Sequence, residues 1–206
     1  AAIHSMRRII DIVVSLAALV VISPVLAIAG LAVALESSGG PLYFAPRVGK
    51  DGRPFRMWKL RTMRQRSGSQ GPAITSKGDP RVTRLGRVLR NTKVDELPQF
   101  VNVLLGDMTL VGPRPEAPEF VELYTPEQRR ILDYWPGVTG PVQLDSFNES
   151  DQIAAGAEGA EQYSNRIMGQ KIDADLNYLQ NRSGVSDARV VGATAVAVVR
   201  SLLNFD

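Results

Sequence analysis

Two carboxylates stand side by side in KVDELPQF, residues 93–100: Asp95 and Glu96, just ahead of Pro98. A stretch dense in arginine runs up to them. Adjacent acids at a helix start serve one of two ends. As an N-cap, Asp95 accepts from the first free backbone N–H groups and no chemistry follows. Catalysis on a phosphorylated substrate uses the same place differently. One carboxylate attacks phosphorus, while backbone N–H groups and the helix dipole hold the incoming anion. The neighbouring Glu96 offers a hard oxygen ligand to Mg²⁺, which takes one or two carboxylates and completes its shell with phosphates and water. Arg114, between two prolines in VGPRP (residues 111–115), presents a guanidinium on a stiff loop, a shape suited to a phosphate or carboxylate. Its bland reading is a surface arginine on a turn.

Composition narrows the choice. The chain of 206 residues has no Cys and one His, His4, inside AAIHS, which reads as a cloning remnant before Met6. Thiolate chemistry, disulfides, Ser–His triads and His-bound zinc drop out. Carboxylate, Lys, Arg, Tyr, Ser/Thr and a hard metal remain. The net charge of +3 conceals an asymmetry: Arg47–Lys93 carries 14 Lys/Arg against 2 acids, and Val94–Asp206 carries 8 against 17. Such a basic block implies an anionic partner. Its few aromatics, chiefly Phe55 and Trp58, speak against single-stranded nucleic acid. Anionic lipids and phosphate-bearing substrates are the expected partners, with no nucleic acid.

The elements that must position these groups begin with Ile12–Leu35, about 24 residues without a charge and long enough to cross a bilayer. Ser23-Pro24 lies mid-run, where Pro removes a helix hydrogen bond and the Ser23 hydroxyl is placed to satisfy the freed carbonyl. Basic residues flank both ends: Arg7 and Arg8 before, Arg47, Lys50, Arg53 and Arg56 after. The positive-inside rule then puts both ends in the cytoplasm. Spanning is the default reading for such a run, but a re-entrant helix–break–helix satisfies both features and is preferred to a kinked span, with Asp11 pairing locally to Arg7 and Arg8. Next, LYF and FRMWKL around GKDG predict a β-hairpin, and residues 64–78 a polar loop. DPRVTRLGRVLRN predicts a helix with Asp79 as N-cap and Pro80 at its first position; its arginines at 81, 84, 87 and 90 form a face suited to anionic lipid or phosphate. Pro98 requires the following helix to begin near Asp95 or Glu96, with Leu97, Phe100, Val101, Leu104 and Leu105 as its apolar face and Gly106 as its stop. WPGVTGP, 135–141, is another rigid turn. The closing helix is apolar, suited to the core or to a membrane surface.

With these motifs in hand, the chain resembles the bacterial sugar transferase family, the small monotopic phosphoglycosyl transferases. The resemblance runs from RRIIDI…SP through KLRTM, DPRVTRLGRVLRNTKVDELPQFVNVLLGDMTLVGPRP and PGVTG. It implies transfer of a sugar-1-phosphate from a UDP-sugar to a polyprenol phosphate, undecaprenyl phosphate being expected, with release of UMP. This step initiates membrane-bound glycoconjugate assembly at the cytoplasmic face of the bacterial inner membrane. Asp95 falls on the family's nucleophile, which forms a phosphosugar-aspartyl intermediate, and Glu96 on its Mg²⁺ ligand. Lys59, Arg61 and Arg114 fall on basic positions expected to line the phosphate site, Ser23-Pro24 on the membrane-helix break, and Gln143 on a substrate-binding position. After Gln143 this chain reads LDSFN, where the family commonly has an Asn-Gly-Arg-type segment, so no donor sugar is inferred. The resulting expectation is an α+β monotopic fold: residues 6–38 as a re-entrant membrane helix, then 39–206 as a catalytic domain with a small hairpin and several amphipathic interfacial helices. A homo-oligomer is compatible with it. The competing readings are a membrane-anchored nucleotide-sugar or lipid-phosphate hydrolase using the same aspartyl chemistry, and a non-catalytic basic membrane anchor. The anchor needs the basic block but no paired carboxylate.

Overall fold

The longest described element is helix α1 (Ala2–Glu36). The structure is a computed structural model that describes residues 2–64, 75, 78–145 and 161–203, the side chains of 2–5 aside. Most of the loop expected over 64–78, and residues 146–160, including the end of LDSFN, therefore lie outside the described residues. By length and composition, Met6–Glu36 is sufficient to cross a membrane. None of residues 16–28 is buried, whereas Asp11 and Ser15 on one side, and Ala29, Gly30 and Val33 on the other, are buried against the rest of the chain.

Two expectations for α1 need correction. The helix runs through Ser23-Pro24 as one element instead of breaking there. The reason is local: proline leaves the Val20 carbonyl without its N–H, and Ser23 Oγ donates to that same carbonyl at 2.8 Å. Asp11 does not pair with Arg7 or Arg8. It accepts from Thr109 Oγ1 at 2.6 Å and from Leu110 N–H at 3.3 Å. Arg8 instead donates to the carbonyls of Val103 and Leu104 at 2.6 and 3.1 Å. Tertiary partners offering unpaired backbone groups outcompete a solvated pair on the same helix.

The expected hairpin is present. Strands β1 (Leu42–Val48) and β2 (Pro54–Leu60) pair antiparallel from Leu42↔Leu60 to Val48↔Pro54. Alternation sends its residues to two covers. Leu42 and Leu60 pack with Ala29 and Val33 of α1 and with Leu89, while Ala45 and Met57 pack with Val103 and Met108.

Helix α2 (Arg84–Asn91) starts later than expected, with Thr83 as N-cap: Thr83 Oγ1 accepts from Gly86 N–H at 2.8 Å. Residues upstream are held extended, because Val82 bridges to Met63 and Thr83 N–H donates to the Thr62 carbonyl. Asp79 makes a turn instead, accepting from Arg81 N–H and from the Arg81 guanidinium. The arginine face divides accordingly. Arg84 and Arg87 are exposed, Arg81 holds Asp79, and Arg90 donates to Thr62 and Thr75.

A 3-10 turn, Val94–Glu96, precedes α3 (Gln99–Leu105), whose N-cap position is Pro98 and whose stop, Gly106, has φ 93°. Asp95 thus sits one short turn before the helix proper. The α3 face also differs: Gln99, Asn102 and Val103 are the deepest residues, and Leu105 is 64% exposed. Asn102 accounts for this. It accepts from Trp58 N–H at 2.9 Å and donates to the Arg56 carbonyl at 2.8 Å, sealing the edge of β2 that would otherwise carry unpaired groups.

Strands β3 (Thr109–Val111) and β4 (Gly137–Thr139) form a short parallel pair. Then come α4 (Pro118–Val121), a 3-10 turn at Gln128–Asp133, α5 (Pro141–Asp145), a π-helical turn at Tyr163–Ile167, α6 (Met168–Asn181) and α7 (Gly184–Leu203). Phe120, Tyr124, Ile131, Tyr163 and Ile172 join α4 and α6 in one core cluster. The closing helix α7 buries Val190 against Leu110 and Val111 and leaves Val185, Val196, Val199 and Leu203 exposed.

Candidate active site

β2, the 3-10 turn and the loop after β3 converge on one pair of acids. Glu96 is engaged on both oxygens. Lys59 Nζ of β2 donates to Oε1 at 2.8 Å, and Arg114 makes a two-pronged contact, 2.8 Å to Oε1 and 3.3 Å to Oε2. Burial works to raise the Glu96 carboxyl, but the Arg114 and Lys59 charges outweigh it and hold the group well below the usual range. Lys59 is itself pulled down by burial, against the Glu96 charge.

Asp95 differs in every respect. It is 5% exposed, and its Oδ1 is buried without a hydrogen-bond partner. Burial first, then the Glu96 charge, push its carboxyl up to about 6, against the attraction of Lys59, Arg90 and Lys93. Of two neighbouring acids, one is tied into ion pairs and the other is kept basic, with a buried oxygen left unpartnered. This is the division of roles expected of an anchored group and a nucleophile.

Arg114 owes its place to close backbone contact. In β3–β4, Gly112 N–H donates to Thr139 O and Gly137 N–H to Pro113 O, both at 2.9 Å. A Cβ on Gly137 would lie 2.1 Å from Gly112 N, so only glycine lets the VGPRP and PGVTG segments meet. Read separately as two rigid turns, these segments are in fact one unit. Gln143 completes it: with its amide turned to the orientation that satisfies both ends, the oxygen accepts from Arg114 N–H at 3.2 Å and the N–H donates to Val138 O at 3.0 Å. Among the expected substrate-binding residues, Gln143 is therefore a support of the Arg114 loop. Arg61 is not brought to the acid pair: its guanidinium donates to the carbonyls of Gly39, Gly40 and Leu42, fastening the segment that leaves α1. Alternation alone would put Lys59 and Arg61 on one face; the split comes from the end of β2 at Leu60, past which the Arg61 guanidinium meets the carbonyls of Gly39, Gly40 and Leu42. Ser23 and Pro24 lie far along α1, exposed.

Residues not singled out from the sequence complete the surroundings. Lys93 is held left-handed at φ 58° directly before the 3-10 turn. Arg47 of β1 lies close enough to Arg114, Glu116 and Glu96 to feel their charges, and burial lowers it. Glu116 accepts from the Tyr163 hydroxyl. Their sequence signal was weak, because each is one basic or acidic residue among many.

The donor set bears on a divalent ion. Among the described residues no group of three or more Asp, Glu, His or Cys gathers at one point. The protein offers two adjacent carboxylates, with the unpartnered Asp95 Oδ1 and a Glu96 Oε2 that takes only the 3.3 Å bond. That fits a hard cation such as Mg²⁺, which draws its remaining ligands from phosphate and water.

Comparison with known proteins gives a consistent picture. A family model described as bacterial sugar transferase matches residues 2–201. The chain is 39% identical over 203 residues to a UDP-glucose:undecaprenyl-phosphate glucose-1-phosphate transferase of Caulobacter vibrioides, covering 97% of this chain and 70% of that protein. It is 35% identical over 197 residues to the Escherichia coli protein of the same name, covering 92% and 39%. It is 37% identical over 199 residues to an exopolysaccharide production protein of Rhizobium leguminosarum bv. phaseoli, covering 93% and 94%. The chain thus spans well under half of the Escherichia coli relative and nearly all of the Rhizobium one.

Proposed function

The chain belongs to the bacterial sugar transferase family, and from that premise we propose that it moves a sugar-1-phosphate from a UDP-sugar to a polyprenol phosphate, undecaprenyl phosphate by analogy with the named relatives. In the first step an Asp95 carboxylate oxygen attacks the sugar-bearing phosphorus. The bond from that phosphorus to the bridging oxygen breaks, and UMP leaves with the electron pair. In the second step an oxygen of the lipid phosphate attacks the same phosphorus and Asp95 departs as carboxylate. The product is a polyprenyl diphosphate sugar, the first unit of a membrane-bound glycan.

The observation that carries this reading is the contrast between the two acids: Asp95 Oδ1 is buried and unpartnered, while Glu96 is bound by Lys59 and Arg114. A capping Asp95 would occupy the N-cap position, but that position is Lys93, without a side-chain cap hydrogen bond, and Asp95 lies inside the turn. Lys59, Lys93, Arg90 and Arg114 offset the repulsion between substrate phosphates and the carboxylates. Mg²⁺, held by Glu96, supplies further neutralisation of phosphate charge when bound.

We further infer that α1 enters and leaves a membrane by one face, the cytoplasmic leaflet of the inner membrane. The support is geometric. Arg8 reaches the C-terminal carbonyls of α3, and Gly30 faces Pro98 and Val101 at the other end of the same short helix. From residue 8 to 30 a straight helix advances about 33 Å, while α3 advances about 10 Å. Both arms reach α3 only if the exposed middle, around Pro24, bends.

The deciding assay offers a panel of UDP-sugars with Mg²⁺ and undecaprenyl phosphate, reading UMP release and lipid-linked sugar. UMP release equal with and without the lipid, with free sugar-1-phosphate as product, would replace the transferase by a hydrolase.

A further inference from the structure

Between the second arm of α1 and the start of α3 lies a groove of about 430 Å³. Leu26, Gly30 and Leu31 form one wall; Trp58, Pro98 and Val101 form the other. We propose that this groove seats the isoprene units nearest the phosphate of the polyprenyl phosphate acceptor, an inference that rests on the transferase reading above.

Three observations point to that occupant. The first is chemistry: every residue lining the groove is apolar or aromatic, and none carries a charge. A UDP-sugar would leave its polar groups unpaired there, a costly burial. A hydrocarbon chain loses nothing. The second is position. One wall belongs to the helix whose apolar side chains are turned outward, with Leu31 63% exposed at the rim, so the groove is continuous with the surface a membrane would cover. The third is the charged neighbour. Lys59 stands between Trp58 and Leu60 in β2, with its own side chain on the opposite face of the strand against Glu96. Pro98 is two residues past Glu96. One end of the apolar groove is therefore the thickness of a strand away from Lys59, which shares Glu96 with Arg114. A molecule with a hydrocarbon tail and an anionic head matches this sequence of surfaces.

Gly30 gives the groove its width. A glycine inside a helix is unfavourable, and packing does not require it here, since a Cβ would meet Pro41 Cβ at an ordinary 3.6 Å. The missing side chain instead leaves open volume on the groove wall.

Gly30→Leu fills that volume. In the full chain, reconstituted in nanodiscs, we expect KM for undecaprenyl phosphate to rise about tenfold, the change that 1.4 kcal/mol of lost binding produces. KM for the UDP-sugar should stay where it is. Val13→Leu, an exposed α1 position outside the groove, serves as control and should change neither. A second measurement needs no variant: a polyprenyl phosphate with a diazirine on its second isoprene unit should label peptides containing Leu31 or Val101. Unchanged acceptor KM in Gly30→Leu, or labelling confined to other peptides, overturns the groove. Equal suppression of labelling by excess phosphatidylglycerol marks a general lipid seat and also overturns it. Failure of the transferase reading looks different: the parent protein would form no lipid-linked sugar from any UDP-sugar.

Discussion

Gly137→Ala tests the idea that Arg114 is placed by the backbone contact between β3 and β4. The added Cβ would stand 2.1 Å from Gly112 N and 2.6 Å from Gly112 Cα and O. Non-bonded heavy atoms settle at roughly 3.5–4.0 Å, so the segments must part by about 1.4 Å or more. Two backbone hydrogen bonds span the opening, Gly112 N–H to Thr139 O and Gly137 N–H to Pro113 O. Each is worth about 1 kcal/mol net, rising to about 1–3 kcal/mol where a buried group is left unpaired. The variant should therefore lose about 2–5 kcal/mol. At about 2–4 °C per kcal/mol for a chain of this size, its unfolding midpoint should fall on the order of 10 °C. Arg114 moves with the loop, and misplacement of a positioning group on the order of 1 Å costs about 10²-fold in rate. Thermal unfolding and UMP release measured together check both figures. Gly192→Ala in α7, where a Cβ meets nothing within 4 Å, is the matched control; it should gain about 0.5–1 kcal/mol and keep its rate. A Gly137→Ala protein with the parent's midpoint and the parent's rate would refute the placement argument.

The other expectations concern single charges and topology. Asp95→Asn should abolish UMP release without lowering the midpoint at pH 7.5. The carboxyl's raised pKa makes its ionised form a load on the fold above about pH 6, and in the parent the rate should fall as pH drops through that value; parent-like release in the variant ends the nucleophile assignment. Glu96→Gln should behave oppositely, losing about 3 kcal/mol as Lys59 and Arg114 lose their anion, the lower end for a buried pair because these side chains keep 15–34% exposure. Its Mg²⁺ titration should shift to higher concentration, and an unmoved titration with an unmoved midpoint removes Glu96 as ligand. Asp175, pushed up to about 7 by burial, keeps its proton in the fold while the unfolded chain releases it near the model-peptide value. The parent should thus lose stability from about pH 4 to 7 at about 1.4 kcal/mol per pH unit from this group, and Asp175→Asn should flatten the profile; parallel profiles would contradict the burial argument. Cysteines placed at Ser5 and at Ser38 in this Cys-free chain should label from the same side of intact cells, and opposite accessibility would mean that α1 crosses the membrane.

How much of this was legible follows the range of each interaction. The hairpin was, because its turn and its β-type runs are adjacent in the chain. The stop at Gly106 was also, since a left-handed residue after an apolar helix is a local demand. The start of α2 was not: Asp79-Pro80 is a sound local helix start, but pairing of Val82 and Thr83 with the 62–63 segment holds those residues extended and moves the cap to Thr83. Asn102 was invisible for the same reason. Nothing in QFVNVLLG says that its most polar interior residue will be buried to close the edge of β2.

The sequence by itself determined the kinds of chemistry open to this protein. It has carboxylates, guanidiniums and ammoniums but no thiol, a basic block ending at an acid pair, an apolar helix of membrane length, and the motifs of one family. Residue type and short spacing are enough for that, because they do not depend on where the chain goes next. Tertiary structure alone decided which of two adjacent acids stays unpaired. It also sent Arg61 to the carbonyls of Gly39, Gly40 and Leu42, while Arg114 went to Glu96. Identical side chains acquire different roles through the partners that reach them first, and those partners lie 18 to 37 residues away for Glu96. A buried charge is governed by the few atoms around it, and only the folded chain brings those atoms together.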